Sequence, residues 1–115
     1  MVQSRHKVNL TGRSYPAVVH RVIDSIVLGY SPGQIWLYGS YARGDFNQGS
    51  DLDLIIIKET DKRFADRIEE VLQYCPGGIA VEPLVYTMHE KEMMLAEKNT
   101  FLVQAISEGV LVFEQ

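Results

Sequence analysis

The sequence has 115 residues, the length of one ordinary domain with one core, and is 46% hydrophobic against 23% charged, which excludes a disordered chain. A formal net charge of −4 excludes attachment to nucleic acid or a membrane surface by charge alone, so neither is expected as a partner. The one cysteine, Cys75, cannot close an internal disulfide, and His6, His20 and His89 do not stand at zinc-ligand spacing from it. The N-terminus carries no apolar signal-peptide run and no stretch approaches a membrane span, so a cytoplasmic location is expected.

Residues 1–13 are polar and read as an irregular lead-in to one domain that covers 1–115. A helix is predicted from Tyr15, with Ser14 as its cap, Pro16 in its first turn and Val18, Val19, Val22, Ile23, Ile26 and Val27 at helical spacing. Gly29 and Ser31-Pro32-Gly33 end it. Ile35–Tyr38 is predicted as a strand, broken by Gly39-Ser40, with one helical turn after Ser40 and a loop to Gly49. Asp51–Lys58 reads as a second strand, and the apolar run Leu54–Ile57 places it centrally in a sheet. Phe64, Ile68, Val71, Leu72 and Cys75 mark an amphipathic helix with Asp61 as its cap, stopped by Pro76-Gly77-Gly78. Ile79–Tyr86 is a third strand, and Pro83 inside it, lacking an amide donor, points to a sheet edge or a bulge. Thr87 and Glu90 form a capping-box pattern before another helix. A last helix spans about Thr100 to Glu108, followed by a strand at Val110–Phe113. This order predicts an α/β domain, a small mixed sheet packed against helices.

The connection at residues 39–50 is long for a hairpin, and loops of that size in compact domains are often functional. Beyond it, Asp51 and Asp53 alternate along a strand and so share a face. Two carboxylates roughly 6.5 Å apart along the backbone can converge on divalent ions. Magnesium takes hard oxygen ligands of this kind. An isolated Asp-x-Asp is usually a solvated strand end, and what gives this one weight is Gly39-Ser40 just before it in the chain. Glycine lets the backbone approach a ligand closely, and amides opening a helical turn bind phosphate oxygens beside the serine hydroxyl. Glu82 in the next strand supplies a third acid that could bind the same ion or take a proton. Arg43 either neutralises phosphate or pairs with Asp45 to fix the loop. Trp36 reads as core. Tyr38 and Tyr41 either pack a base or, the better reading, join the core, and Met88, Met93, Met94 and Leu95 form either a partner face or, the better reading, the core side of a helix.

Gly39-Ser40, ten intervening residues and Asp51-Leu52-Asp53 together resemble the signature of the polymerase-β-type nucleotidyltransferase superfamily. The strings Gly-Ser-Tyr-Ala-Arg-Gly-Asp and Ser-Asp-Leu-Asp-Leu resemble its small prokaryotic branch, the minimal nucleotidyltransferases, along nearly the whole chain. The resemblance implies transfer of a nucleoside monophosphate from an NTP to a hydroxyl, with pyrophosphate leaving. It implies that Gly39 and Ser40 contact the triphosphate, that Asp51 and Asp53 bind Mg2+, and that Glu82 stands where the family usually has a third acid, often aspartate. Larger members carry a further domain for the acceptor, which a chain of this size does not accommodate. The acceptor surface is therefore expected from a homo-oligomer or from another protein. The small branch is known as the partner of HEPN-domain proteins, many of them toxins, to whose tyrosine some members attach AMP from ATP as antitoxins. A non-catalytic antitoxin acting by contact, and a small-molecule nucleotidyltransferase, are the alternative expectations.

Overall fold

The computed structural model describes residues 15–115, and the predicted lead-in and the Ser14 cap lie outside them. The elements run α1 (Ala17–Tyr30), β1 (Gln34–Tyr38), α2 (Ser40–Arg43), β2 (Leu52–Ile57), α3 (Phe64–Leu72), β3 (Val81–Tyr86), α4 (Met88–Ala96), α5 (Thr100–Glu108) and β4 (Val110–Glu114). The strands form one mixed sheet in the order β3-β2-β1-β4. β1 pairs antiparallel with β2 and β4, whereas β2 and β3 are parallel, joined across α3. β2 is therefore interior and β3 is an edge, as the apolar run and Pro83 lead one to expect.

Strand alternation divides the core in two. Ile35, Leu37, Leu54, Ile56 and Val112 meet the apolar stripe of α1 (Val19, Val22, Ile23, Ile26), and all nine are fully buried. That stripe repeats every three or four residues, which is why α1 forms against the sheet. It ends at Ser31, whose φ of 54° leaves the helical region before Pro32. Ile55 and Ile57 point the other way, toward Leu102 and Ala105 of α5, with Trp36, Tyr38, Tyr86, Met88, Met94 and Leu95 packed around them. Trp36 and Tyr38 are thus half-buried rather than interior, and Tyr41 alone of the three aromatics is fully in the core.

Two expectations need correction. Asp61 does not cap α3: Arg63 occupies the cap position without a side-chain bond, because the chain first turns at Thr60, whose Oγ1 accepts from the Lys62 amide. Of the apolar residues of α4, Met88, Met94 and Leu95 pack against the second cluster while only partly buried, and Met93 lies outside it. No residue of α4 is fully buried and Met93 is 46% exposed, because α4 packs at the rim of the second cluster.

The Thr87–Glu90 capping box is present with both of its hydrogen bonds. Glu90 also holds Arg67, a buried cation of α3, through Nη1–Oε1 at 2.7 Å and Nη2–Oε2 at 3.1 Å. Arg67 donates further to the Lys62 and Val85 carbonyls. One guanidinium so joins α3, β3 and α4. Hydrogen bonding to Arg67 is the chief cause that lowers the Glu90 pKa, so this stabilisation is full above the ordinary glutamate range and is lost as pH falls through the lowered folded value. Arg67→Ala is expected to lower unfolding stability in urea by about 3 kcal/mol, because it strands a partly buried carboxylate and a buried carbonyl. Arg63→Ala, which breaks only the exposed pair with Asp66, is expected to cost about 0.5 kcal/mol or less.

Candidate active site

The register of the sheet aligns three side chains in one row. Tyr38 of β1 faces Asp53 of β2, and Asp53 faces Glu82 of β3. Paired residues point to the same side of a sheet, so all three face α4 and α5 at one end of the strands. Asp51 stands one residue before β2 begins and is exposed, not inside the strand as expected. Its charge acts on both Glu82 and Asp53. The structure thus brings the three sequence-predicted acids together.

Their electrostatics follow from that proximity. Asp53 has its pKa raised, first by burial and then by the charge of Asp51, with Arg43 opposing. Glu82 is raised by its hydrogen bond to Asp51 and by the charges of Asp51 and Asp53. Carboxylates gathered this way do not all ionise freely unless a cation joins them. Among the described residues no three His, Cys, Asp or Glu side chains stand close enough to form a ready metal cage. The chemistry of the donors nonetheless fits a hard divalent ion, being entirely carboxylate oxygen with mutual repulsion to relieve.

Gly39 joins this acid cluster to the other half of the motif. It leaves β1 with φ 73°, a conformation that disfavours side chains. A Cβ there would also collide with Oδ2 of Asp53. Ser40 opens α2, whose four residues close with the Arg43 amide on the Gly39 carbonyl at 3.0 Å. The Ser40 and Tyr41 amides come too early in the helix to find an acceptor inside it. Arg43 pairs with Asp45 at 3.2 Å, the loop-fixing option, but both side chains are at least half exposed. Such a pair is worth about 0–1 kcal/mol and exchanges readily for a phosphate. A cavity of about 770 Å³ borders Asp51 on the α1 side, floored by Tyr41 stacked on Phe46.

Sequence reasoning placed Tyr38 in the core and so missed its place in the acid row. The signal was available, since Tyr38 is the last residue before the glycine turn and alternation sets it opposite Ile35 and Leu37. Its hydroxyl pKa is pushed up to about 12, by burial and then by Asp53, Tyr86 and Glu82.

The nucleotidyltransferase domain family matches residues 21–103 of the chain, which takes in most of α1, the glycine turn, the acid row and the first four residues of α5. The chain belongs to that family. The nucleotidyltransferase domain here has the mixed sheet and flanking helices of the family's fold. It is similar to a solved protein from Sulfolobus solfataricus whose own assignment as a nucleotidyltransferase is an inference. The two share 19% identity over 88% of this chain and 89% of that one, with a TM-score of 0.48. No curated protein matches the chain. No helix among the described residues is long and apolar enough to cross a membrane.

Gly39→Ala is expected to reduce nucleotidyl transfer by about 100-fold while leaving the sheet intact by circular dichroism, because displacing one reacting group by about 1 Å costs that much. Asp53→Asn should raise the melting temperature of the metal-free protein at pH 7 by about 2–5 °C. A carboxyl with a raised folded pKa favours the fold fully below its unfolded pKa and loses that stabilisation as pH rises through the folded value. The gain from Asp53→Asn should therefore vanish in melts below the ordinary carboxyl range.

Proposed function

We propose that this domain is a magnesium-dependent nucleotidyltransferase that moves AMP from ATP to a hydroxyl, a tyrosine of a HEPN-domain toxin, and so serves as the antitoxin of the pair. The observation that carries the enzymatic part is the close approach of Gly39 to the Asp53 carboxylate, which sets the glycine turn directly against the acid row. The nature of the acceptor rests on the resemblance of the Gly39–Asp53 string to the small prokaryotic branch.

In the reaction the acceptor oxygen forms a bond to the α-phosphorus, the bond from that phosphorus to the bridging oxygen breaks, and pyrophosphate leaves. Asp51, Asp53 and Glu82 would hold Mg2+, which supplies charge stabilisation to the phosphoryl oxygens. Glu82 would take the proton of the attacking hydroxyl, a role open to a carboxylate beside the reacting oxygen. The early amides of α2 and the Arg43 guanidinium hold the β- and γ-phosphates, so the pyrophosphate leaves toward Ser40.

Incubation with ATP labelled at the α-phosphate, Mg2+ and the HEPN protein encoded beside it tests this reading. Wild type should label that protein on tyrosine, and Asp53→Asn should reduce the label at least about 1,000-fold. No label, or equal label from both, would remove the catalytic reading. Neutralisation of the toxin equally well by Asp51→Ala would establish an antitoxin that acts by contact.

A further inference from the structure

The cavity of about 770 Å³ on the α1 side takes no part in the proposed reaction, yet one of its walls is the loop that ends on Asp51. The other walls are the start of α1, at Pro16 and Val18, and the turn before β3, at Gly78 and Ala80. The hydrogen bonds of residues 47–50 close on one another. The Asn47 amide donates to Ser50 Oγ at 2.9 Å, the Gly49 amide to Asn47 Oδ1 at 2.8 Å, and the Ser50 amide to the Asn47 carbonyl at 3.1 Å. These bonds fold the loop on itself and do not tie it to the sheet. What packs in the cavity therefore decides how firmly this wall stands.

The chain itself points to the occupant. Tyr15 is buried at the aromatic floor, its ring centroid 6.3 Å from that of Tyr41 and 6.1 Å from that of Phe46. Residues 1–14, outside the described part of the structure, are thus joined to the fold at the edge of the cavity. Leu10 stands five residues before Tyr15 and Val8 seven, so neither can lie further from it than about 18 and 25 Å at full extension. Val8 and Leu10 alternate with the polar Lys7 and Asn9, which puts the two apolar side chains on one face of an extended segment. Residues 1–14 hold three of the chain's eleven basic residues (Arg5, Lys7, Arg13) and none of its fifteen acids. They carry +3 and the remainder of the chain carries −7. Asp51, one of those acids, stands in the cavity wall.

We infer that residues 1–14 of the same chain occupy this cavity, with Val8 and Leu10 against its aromatic floor and Arg13 toward Asp51. Seated there, the segment braces the loop between the glycine turn and Asp51 and so positions the first acid of the motif. Apolar walls and apolar side chains both gain by leaving water, and opposite charges hold the register of the segment. Attachment at the cavity edge favours this occupant over a second copy or a separate protein. A tethered segment meets its site at an effective concentration on the order of millimolar, without a bimolecular encounter. The inference goes beyond the nucleotidyl-transfer reading and stands whether or not that reading holds.

Tryptic cleavage of the full chain after Arg5, Lys7 and Arg13, followed by mass spectrometry, tests the seat. Wild type should be cut there slowly, and Leu10→Asp or Val18→Asp should each speed all three cuts at least about tenfold. The double variant should be cut no faster than either single one, because both changes break one contact. Hydrogen exchange at Asn47–Ser50 should quicken about tenfold in Leu10→Asp, which reads the bracing of the loop. Leu28→Asp, on an exposed part of α1, should change neither measurement. A cooperative urea transition shows that each variant folds, and Ala80→Asp, at an exposed wall position, replaces Val18→Asp if that one does not. If wild type is cut as fast as Leu10→Asp, or if the wall variant leaves the cuts unchanged, the segment does not occupy the cavity. Protection that falls on dilution would place the segment in a second copy and overturn the assignment within one chain. Loop exchange unmoved by Leu10→Asp would overturn the bracing role.

Discussion

The register of β1 against β2 is the constraint on which the site depends. Because Tyr38 pairs with Asp53, the chain leaving β1 must pass over the Asp53 carboxylate as it turns into α2. Only a residue without a side chain fits there, and only glycine takes the backbone angle easily. The glycine turn and the acid row are therefore one mechanical unit. A slip of one residue would turn Asp53 into the α1-facing core and bring an apolar neighbour to the site. The sheet guards against that slip by burying β2 on both faces. Leu52, Leu54, Ile55, Ile56 and Ile57 are all inaccessible or nearly so, and Asp53 is the one half-open position in the strand.

Holding carboxylates together at the end of a sheet works against folding, as the raised values of Asp53 and Glu82 record. Glu82 lies on an edge strand, the least supported place for it. The Arg67 guanidinium compensates. Its bond to the Val85 carbonyl anchors the far end of β3 to α3, and its pairing with Glu90 anchors α4 to both. A lysine could not satisfy two carbonyls and two carboxylate oxygens at once, since it lacks the planar fork.

What was legible in the sequence was local. The stripe of α1, the capping box of Thr87 and Glu90, the edge character announced by Pro83, and the glycine and acid motif all show within a few neighbouring residues. The burial of Arg67 was not legible, because its partners come from three separate elements. Nor was the role of α4 as a rim helix. Its methionines have helical spacing, and spacing alone does not say how deep a face sits. Phe101, Gln104 and Glu108 lie far along the chain from Gly39. Only the packing of α5 across β1 brings them beside it. The place of Asp51 just before the strand, by contrast, was not legible, since strand ends depend on pairing and not on residue type.

Tyr38 shows how the fold limits the charge it concentrates. It closes the row opposite Asp53, where a fourth acid would have added repulsion and a basic residue would have competed for the acids with any bound cation. A phenol does neither. With a pKa pushed up to about 12 it stays neutral at any working pH, and the charges of Asp53 and Glu82 that raise it are the same ones that keep its proton in place. Its ring, held edge to face by Phe101, gives the acid row an apolar flank. That flank limits water on one side of the carboxylates, strengthening each electrostatic interaction formed there. The row can thus be strongly polar at Asp53 and Glu82 and still rest on a packed wall, which a charged residue at position 38 would have opened to solvent.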